Sequence, residues 1–314
     1  MTTPDSTFAG GTWPRTRHAT GFGIGIPVAQ SKPGATFPHF SDHLALANTA
    51  AGTGFDGLWF ADHFSFPGDD GLRGSWDAWT LMAAIAASVP NVHIGPMVAC
   101  TAYRNPGVIA KMTEMIQDIS GGRFILGLGA GWQKDEYQQF GLPFEPRVSR
   151  FEEALRIIHG LLREGKSDLQ GTYSQANAAV NLPRAESGPA TPILVGSSGD
   201  RMLGLLARYG DAWDTGWGGK TDELKAKVAK LDAACAAAGR DSKSVVRSVS
   251  VAVAAAGFAG DPASVLSGDT GEKIRFLREL EAMGFSHLRI GLNPLTPANI
   301  EAFAPVIEAF HNGA

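Results

Sequence analysis

Residues 123–137 read RFILGLGAGWQKDEY, an apolar strand that runs into three glycines at alternate positions, Gly127, Gly129 and Gly131. A glycine-rich strand end suggests the dinucleotide fingerprint GxGxxG, where a strand turns into a helix whose N-terminus receives a pyrophosphate. The spacing here is GxGxG, and the next residue is Trp132. An indole is too large for the close backbone approach that a pyrophosphate requires. The stretch is also the fourth strand-like run of the chain, not the first. Spacing, sterics and position exclude the dinucleotide reading. What remains is a strand end where backbone lies close to something flat or crowded, with tight strand-to-helix packing as the plain alternative.

Outward from this stretch, apolar strand-like runs alternate with helix-like runs along the whole chain. The runs are 21–28, 55–62, 92–101, 123–129, 192–197, 210–216, 244–254 and 285–292. Between them, apolar residues recur at helical spacing, as in Val108, Met112, Met115 and Ile119 or Phe151, Leu155, Ile158 and Leu162. Asn105-Pro106 supplies a helix cap and an N1 proline, and Ser149-x-x-Glu152 reads as a capping box. The strands are apolar almost throughout, as strands covered on both faces should be. Eight such units predict a single (β/α)₈ barrel over residues 21–314, with a flexible N-terminal extension over 1–20. A doubly wound sheet would carry a glycine-rich phosphate loop after its first strand, where this chain reads PVAQSKPG. Residues 166–191, between the fourth helix and the fifth strand, are too many for an ordinary connection. They predict a short hairpin, either a lid over the substrate side or an exposed decoration.

Composition narrows the function. The 314 residues carry 27 Lys and Arg against 31 Asp and Glu, a net charge of −4 with no basic tract. That leaves no electrostatic footprint for nucleic acid or an anionic membrane. The two cysteines, Cys100 and Cys235, make no disulfide framework, which suits a reducing cytoplasm. No apolar run is long enough to span a bilayer, and the N-terminal residues lack a signal-peptide core.

A barrel carries its active site at the C-terminal ends of its strands, so the strand ends supply the candidates. Asp62-His63 is the acid–histidine pair among them, and a histidine there can shuttle a proton near neutral pH. Gly196, Ser197, Ser198 and Gly199 end the fifth strand before a helix and read as an anion site, with simple capping by Ser198 or Asp200 as the alternative. The sixth and eighth ends offer Asp214, Thr215 and Trp217, and Arg289 and Gly291. Phe64, Phe66, Trp76, Trp132 and Trp217 suggest an aromatic wall for a planar ligand and a substrate pocket. His39 and His43 share a helix face but lack the HExxH glutamate and are expected at the opposite barrel end, so no metal site is assigned. There is no GxSxG elbow.

The run GRFILGLGAGWQKDEYQQFGLPFEPRVSRFEEALRIIHGLL resembles the luciferase-like monooxygenase superfamily, and within it the branch that depends on coenzyme F420. FDGLWFADH, AYRNPGVIAKM and PILVGSSGDRMLGLLARYGDAWD resemble further blocks of the family in the same order. The resemblance implies a bacterial-luciferase-like barrel that binds F420 or, alternatively, FMN, without metal. It implies that Asp62 and His63 touch the flavin-type ring and act in catalysis. Met97-Val98 falls where the family carries a non-prolyl cis peptide supporting the ring, with Thr101 close by. Gly129, Ala130 and Gly131 would lie along the cofactor tail, Glu136 would contact that tail, and Gly196 to Gly199 would hold its phosphate. Where sugar-phosphate dehydrogenases of the family carry a catalytic glutamate, this chain has Trp132. The implied reaction is hydride transfer between the deazaflavin and a small organic substrate in a homodimeric enzyme. The alternatives are an FMN-dependent monooxygenase fed by a flavin reductase, and a flavin-binding barrel without turnover.

Overall fold

The computed structural model describes residues 11, 13, 16, 18–68, 71–186, 190–217 and 221–313. The sheet begins with β1 (Gly21–Ile26) and returns through α1 (Phe40–Gly52) to β2 (Gly57–Phe60). A short hairpin, β3 (Ser65–Gly68) and β4 (Gly71–Gly74), then precedes α2 (Ala78–Ser88). The third barrel strand is broken into β5 (His93–Pro96) and β6 (Ala99–Cys100), and α3 (Pro106–Ser120) follows. The glycine-rich strand is β7 (Leu126–Gly129), which leads through the short α4 (Lys134–Gln139) into α5 (Arg147–Arg163). A second hairpin, β8 (Lys166–Gln170) and β9 (Gln175–Val180), comes before β10 (Ile193–Gly196) and α6 (Asp200–Tyr209). The last units are β11 (Ala212–Trp217) with α7 (Thr221–Ala237), β12 (Val246–Ala254) with α8 (Thr270–Ala282), and β13 (His287–Asn293) with α9 (Pro297–His311).

All strand pairs of the main sheet are parallel, in the order β5-β2-β1-β13-β12-β11-β10-β7-β6. Its two ends, β5 and β6, are successive pieces of one strand, and the Ile125 N–H donates to the Ile94 carbonyl at 2.9 Å. The sheet therefore closes into the barrel that the eight units predicted.

Two layers of apolar side chains follow from this closure. Outward-facing residues such as Phe22, Leu58, Leu126 and Leu288 pack under the helices. Inward-facing Trp59, Ile125, Leu194 and Ala212 fill the lower barrel. Trp59 reaches over Gly23 of the intervening β1, and its indole N–H donates to His287 Nε2 on β13 at 2.9 Å. One layer higher, a Cβ on Gly25 would meet only the Trp59 carbonyl oxygen, at 4.0 Å. The barrel is filled below and hollow above, which sets the depth of the site.

Local signals held unevenly. Asn105 caps α3 by accepting from the Gly107 N–H at 2.8 Å, as its sequence predicts. The expected capping box of α5 does not form, because the helix starts earlier, at Arg147. Ser149 and Glu152 instead accept from Arg201 on α6, at 3.0 and 2.6 Å. Most of the extension expected over residues 1–20 lies outside the described residues. Of those described, the Gly11 N–H donates to Asp211 at 2.7 Å and Trp13 stacks on Trp59, both at the lower end of the barrel. Among the described residues, no helix is long and apolar enough to cross a membrane.

Candidate active site

The hollow upper half is a cavity of about 1510 Å³ at the C-terminal strand ends. A pocket for one drug-sized ligand measures roughly 300–1,000 Å³, so this cavity exceeds what a single such ligand needs. His63, Asp62, Met97, Val98, Gly129, Ala130, Gly131, Trp132 and Gly196 to Gly199 all border this one space, as the strand-end rule predicted.

His63 is held from behind. Its Nδ1 lies 2.8 Å from Glu136 Oε2, and its ring packs against Phe66 and Trp132. The same carboxylate accepts the Tyr103 hydroxyl at 2.6 Å and the backbone N–H groups of Phe64 and Ser65 at 2.6 and 3.0 Å. Burial works to raise the Glu136 carboxyl, but the bonds from His63, Tyr103 and Ser65 outweigh it and hold the carboxyl below its ordinary value. An ionised carboxylate is acceptor-only, so Nδ1 carries a proton and Nε2 is the ring nitrogen left for the cavity. Glu136 itself is fully buried and does not border the cavity. The expected contact between Glu136 and a cofactor tail is thus corrected: its oxygens are engaged in fixing His63 and the 63–65 loop.

Asp62 is 4 % exposed and pairs with Arg104 at 2.8 Å, and the Cys100 N–H donates to the same oxygen at 3.2 Å. Burial pushes its carboxyl up against the lowering effect of the Arg104 guanidinium. Arg104 also binds Asp77 at 2.9 Å and so ties the end of the second strand to the start of α2. Burial pushes the Cys100 thiol up to about 11, which keeps it protonated.

The peptide between Met97 and Val98 is cis, as the resemblance implied. Val98 also explains Gly129 of the opening stretch and Gly196 on β10. A Cβ on Gly129 would lie 2.5 Å from Val98 Cγ2, and one on Gly196 would lie 2.9 Å from Val98 Cγ1. A Cβ on Gly127 would collide with the Pro96 carbonyl, and one on Gly131, at φ +77°, with the Tyr137 hydroxyl. The room these glycines leave is filled by protein. Close strand packing therefore accounts for them, and Gly129, Ala130 and Gly131 also edge the cavity.

At the fifth strand end, the alternative of side-chain capping fails. The N-cap of α6 is Gly199, and no side chain caps it. Ser197 Oγ accepts from the Gly199 N–H at 3.2 Å, and Arg147 at the start of α5, paired with Glu145 at 2.7 Å, also borders the cavity. Uncapped helix N–H groups and two hydroxyls at the positive end of a helix dipole are donors of the kind that suit an anion.

Other expectations shift. Phe64 does not border the cavity, since its ring packs between Tyr103 and Phe140. Trp76 lies outside it too, tilted against Phe37 with its indole N–H on the Pro38 carbonyl at 2.9 Å. Thr101 is buried and ties to the Gly129 carbonyl at 3.4 Å instead of facing a ligand. Trp132 stands on the rim, 67 % exposed, and the side chain of Trp217 lies outside the described residues. His39 borders the cavity rather than the opposite barrel end, because helices of a barrel start on the active face. Residues 166–180 do form the predicted hairpin, but it lies along α5, with Glu153 accepting the N–H groups of Thr172, Tyr173 and Ser174 at 2.9, 2.6 and 2.8 Å. Among the described residues none of 166–186 reaches the cavity, so the hairpin is a decoration and not a lid. Sequence reasoning missed Tyr103 and Arg104. Both sit just past the third strand end, one turn beyond where the strand-end rule was applied.

A profile of the luciferase-like monooxygenases matches residues 20–265. The chain is 30% identical over 242 residues to the pyrimidine monooxygenase RutA of Allorhizobium ampelinum, covering 71% of this chain and 64% of that relative. It is 33% identical over 221 residues to RutA of Stutzerimonas stutzeri, covering 67% and 60%. The chain thus spans less than two thirds of the length of these curated relatives. Among solved structures, an F420-dependent secondary alcohol dehydrogenase superposes with a TM-score of 0.79 at 20% identity, covering 93% of this chain and 99% of the other. The EDTA monooxygenase EmoA of Chelativorans sp. BNC1 superposes at 0.78 with 17% identity, covering 93% of each chain. These two likenesses carry the barrel fold, and the profile carries the kinship: the chain belongs to the luciferase-like monooxygenase family and is an enzyme of that family.

Proposed function

We propose that the chain is an oxidoreductase that uses coenzyme F420 to move a hydride to or from a small organic molecule. The observation that carries this reading is that one cavity gathers the Met97-Val98 ridge, the Glu136-held His63 and the uncapped start of α6. These residues fit a flat ring with a phosphate-bearing tail: the ridge offers apolar support, and Ser197, Ser198 and the α6 N–H groups suit the phosphate. When bound, the cofactor supplies the hydride chemistry.

The chain's own residues do the rest. Glu136 fixes the His63 ring so that Nε2 gives a proton to, or takes one from, the substrate atom. Asp62, fixed by Arg104, presents a carboxylate at the cavity wall. Phe66 and Trp132 shield His63 from bulk water. Support for F420 comes from the sequence blocks and from the near-complete span of the F420-dependent neighbour.

A second reading has its own support. Curated relatives at 30% and 33% identity are named pyrimidine monooxygenases, which favours reduced FMN, oxygen and a pyrimidine-like substrate. Titration of the purified protein with F420 and with FMN, followed by tryptophan fluorescence, separates the two. Tight F420 binding with no FMN response is expected. Tight FMN binding with oxygen uptake in the presence of a flavin reductase overturns that choice, and binding of neither overturns both. With the cofactor identified, His63→Asn is expected to lower turnover about 10²-fold while cofactor affinity stays unchanged.

A further inference from the structure

Beneath the cavity, the inner wall carries a charged pair that the proposed chemistry does not use. Asp214 on β11 and Arg289 on β13 both border the cavity, and their side chains are 4% and 14% exposed. Arg289 Nε and Nη2 donate to Asp214 Oδ2 and Oδ1, each at 2.9 Å. Asp214 is then filled by the Ser248 hydroxyl at 2.8 Å and the Gly216 N–H at 2.8 Å. The carboxylate has no acceptor capacity to spare, so its effect is to lock the guanidinium in one orientation.

A guanidinium has five N–H groups in a rigid fork. Two are engaged here, and Nη1 has no partner among the described residues. The second edge of the fork, formed by Nη1 and Nη2, remains. The next inward position on β13 is Gly291, and on the paired strand β1 it is Gly25, where a Cβ would meet only the Trp59 carbonyl oxygen at 4.0 Å. No side chain at these positions stands between the arginine and the cavity. Ser250, the register partner of Arg289 on β12, also borders the cavity, and no described residue partners its hydroxyl.

The charge balance selects the ligand. Asp214 already neutralises Arg289, so a second anion would meet a carboxylate as well as a guanidinium. A neutral carbonyl meets the N–H fork without that repulsion, and an adjacent N–H finds the Ser250 hydroxyl. From this geometry we infer that the floor of the cavity reads a neutral amide or imide group of the substrate, with the carbonyl on Arg289 and the N–H on Ser250. The inference rests on the reading that this cavity holds the oxidoreductase's substrate.

Calorimetric titration of the full-length protein, alone and saturated with FMN or F420, tests it without requiring turnover. Glutarimide is the probe, with N-methylglutarimide and cyclohexanecarboxylate as comparisons. Glutarimide is expected to bind at least about tenfold more tightly than the carboxylate, a difference of about 1.4 kcal/mol, and more tightly than its N-methyl form. Arg289→Lys keeps the charge beside Asp214 but removes the fork, and is expected to abolish the preference with little change in melting temperature. Should that variant fail to fold, the neutral pair Asp214→Asn with Arg289→Gln makes the same test. Equal or tighter binding of the carboxylate overturns the inference, as does a glutarimide affinity that Arg289→Lys leaves unmoved. A loss of cofactor affinity in that variant, with glutarimide binding intact, assigns the fork to the cofactor's ring carbonyls and also overturns it. Selective glutarimide binding by a protein that takes up neither FMN nor F420 sinks the oxidoreductase reading and leaves this one standing.

Discussion

Two buried carboxylates sit at opposite ends of the same barrel. Glu136, at the upper end, accepts from His63, Tyr103 and two loop N–H groups. Asp211, at the lower end, accepts from Arg163 and from the N–H groups of Ile193 and Gly11, all at 2.7 Å. By burial and by satisfaction of their oxygens they are alike. Their donors differ in what lies behind them. Each donor at Asp211 is a fixed part of the scaffold, whereas at Glu136 one donor is an imidazole whose other nitrogen is left for a cavity. Burial with a full set of donors therefore does not identify a functional acid. What the donors face does.

The comparison breaks most readily at its lower end. Asp211→Ala strands the 4% exposed Arg163 guanidinium and frees the described N-terminal residues. The expected loss is about 3–5 kcal/mol of stability in urea unfolding, with cofactor affinity per folded molecule unchanged. A matching loss of cofactor affinity would mean the two ends are not separable.

Glu136→Gln gives a smaller stability loss, about 2 kcal/mol, with a larger functional effect, because the amide cannot accept from all four donors. Its pH dependence sharpens the contrast. The folded Glu136 value is depressed, so its stabilisation is fully present above the unfolded value near 4.3 and fades as pH falls through the folded value. The stability gap between wild type and Glu136→Gln, measured by denaturation at a series of pH values, is expected to narrow in acid. A gap that is constant down to pH 3 would deny the carboxylate its ionised role.

Trp132→Ala is expected to change stability by no more than about 0.5 kcal/mol, since the indole is 67 % exposed. Cofactor or substrate affinity is still expected to fall, since the ring edges the cavity beside His63. A clear drop in melting temperature would show that the rim is part of the scaffold.

The architecture was legible because periodicity survives in a single chain: the predicted strand runs became strands of the barrel, and the third split where the cis peptide interrupts its ladder. The list of cavity residues was legible for Asp62, His63, Ser197 and Ser198, because strand ends converge by topology. What each residue touches was not. Glu136 lies 73 positions from His63, and no spacing announces that pair. Phe64 and Trp76 sit beside true cavity residues in sequence, yet their rings turn to Phe140 and Phe37. The glycines at 127–131 signalled crowding correctly, but the crowding partners, Val98 and Tyr137, emerge only when the strands are laid together.

Loops on a barrel are commonly treated as interchangeable parts, each free to vary on a constant frame. The Glu136 contacts forbid that here. The segment after β2 is held by a side chain that follows β7, and Arg104, after β6, clamps the end of β2 to the start of α2. Three segments far apart in the chain behave as one cast piece. Grafting any one of them from a relative would import half a joint, so the smallest transplantable unit of this active face is the set of all three.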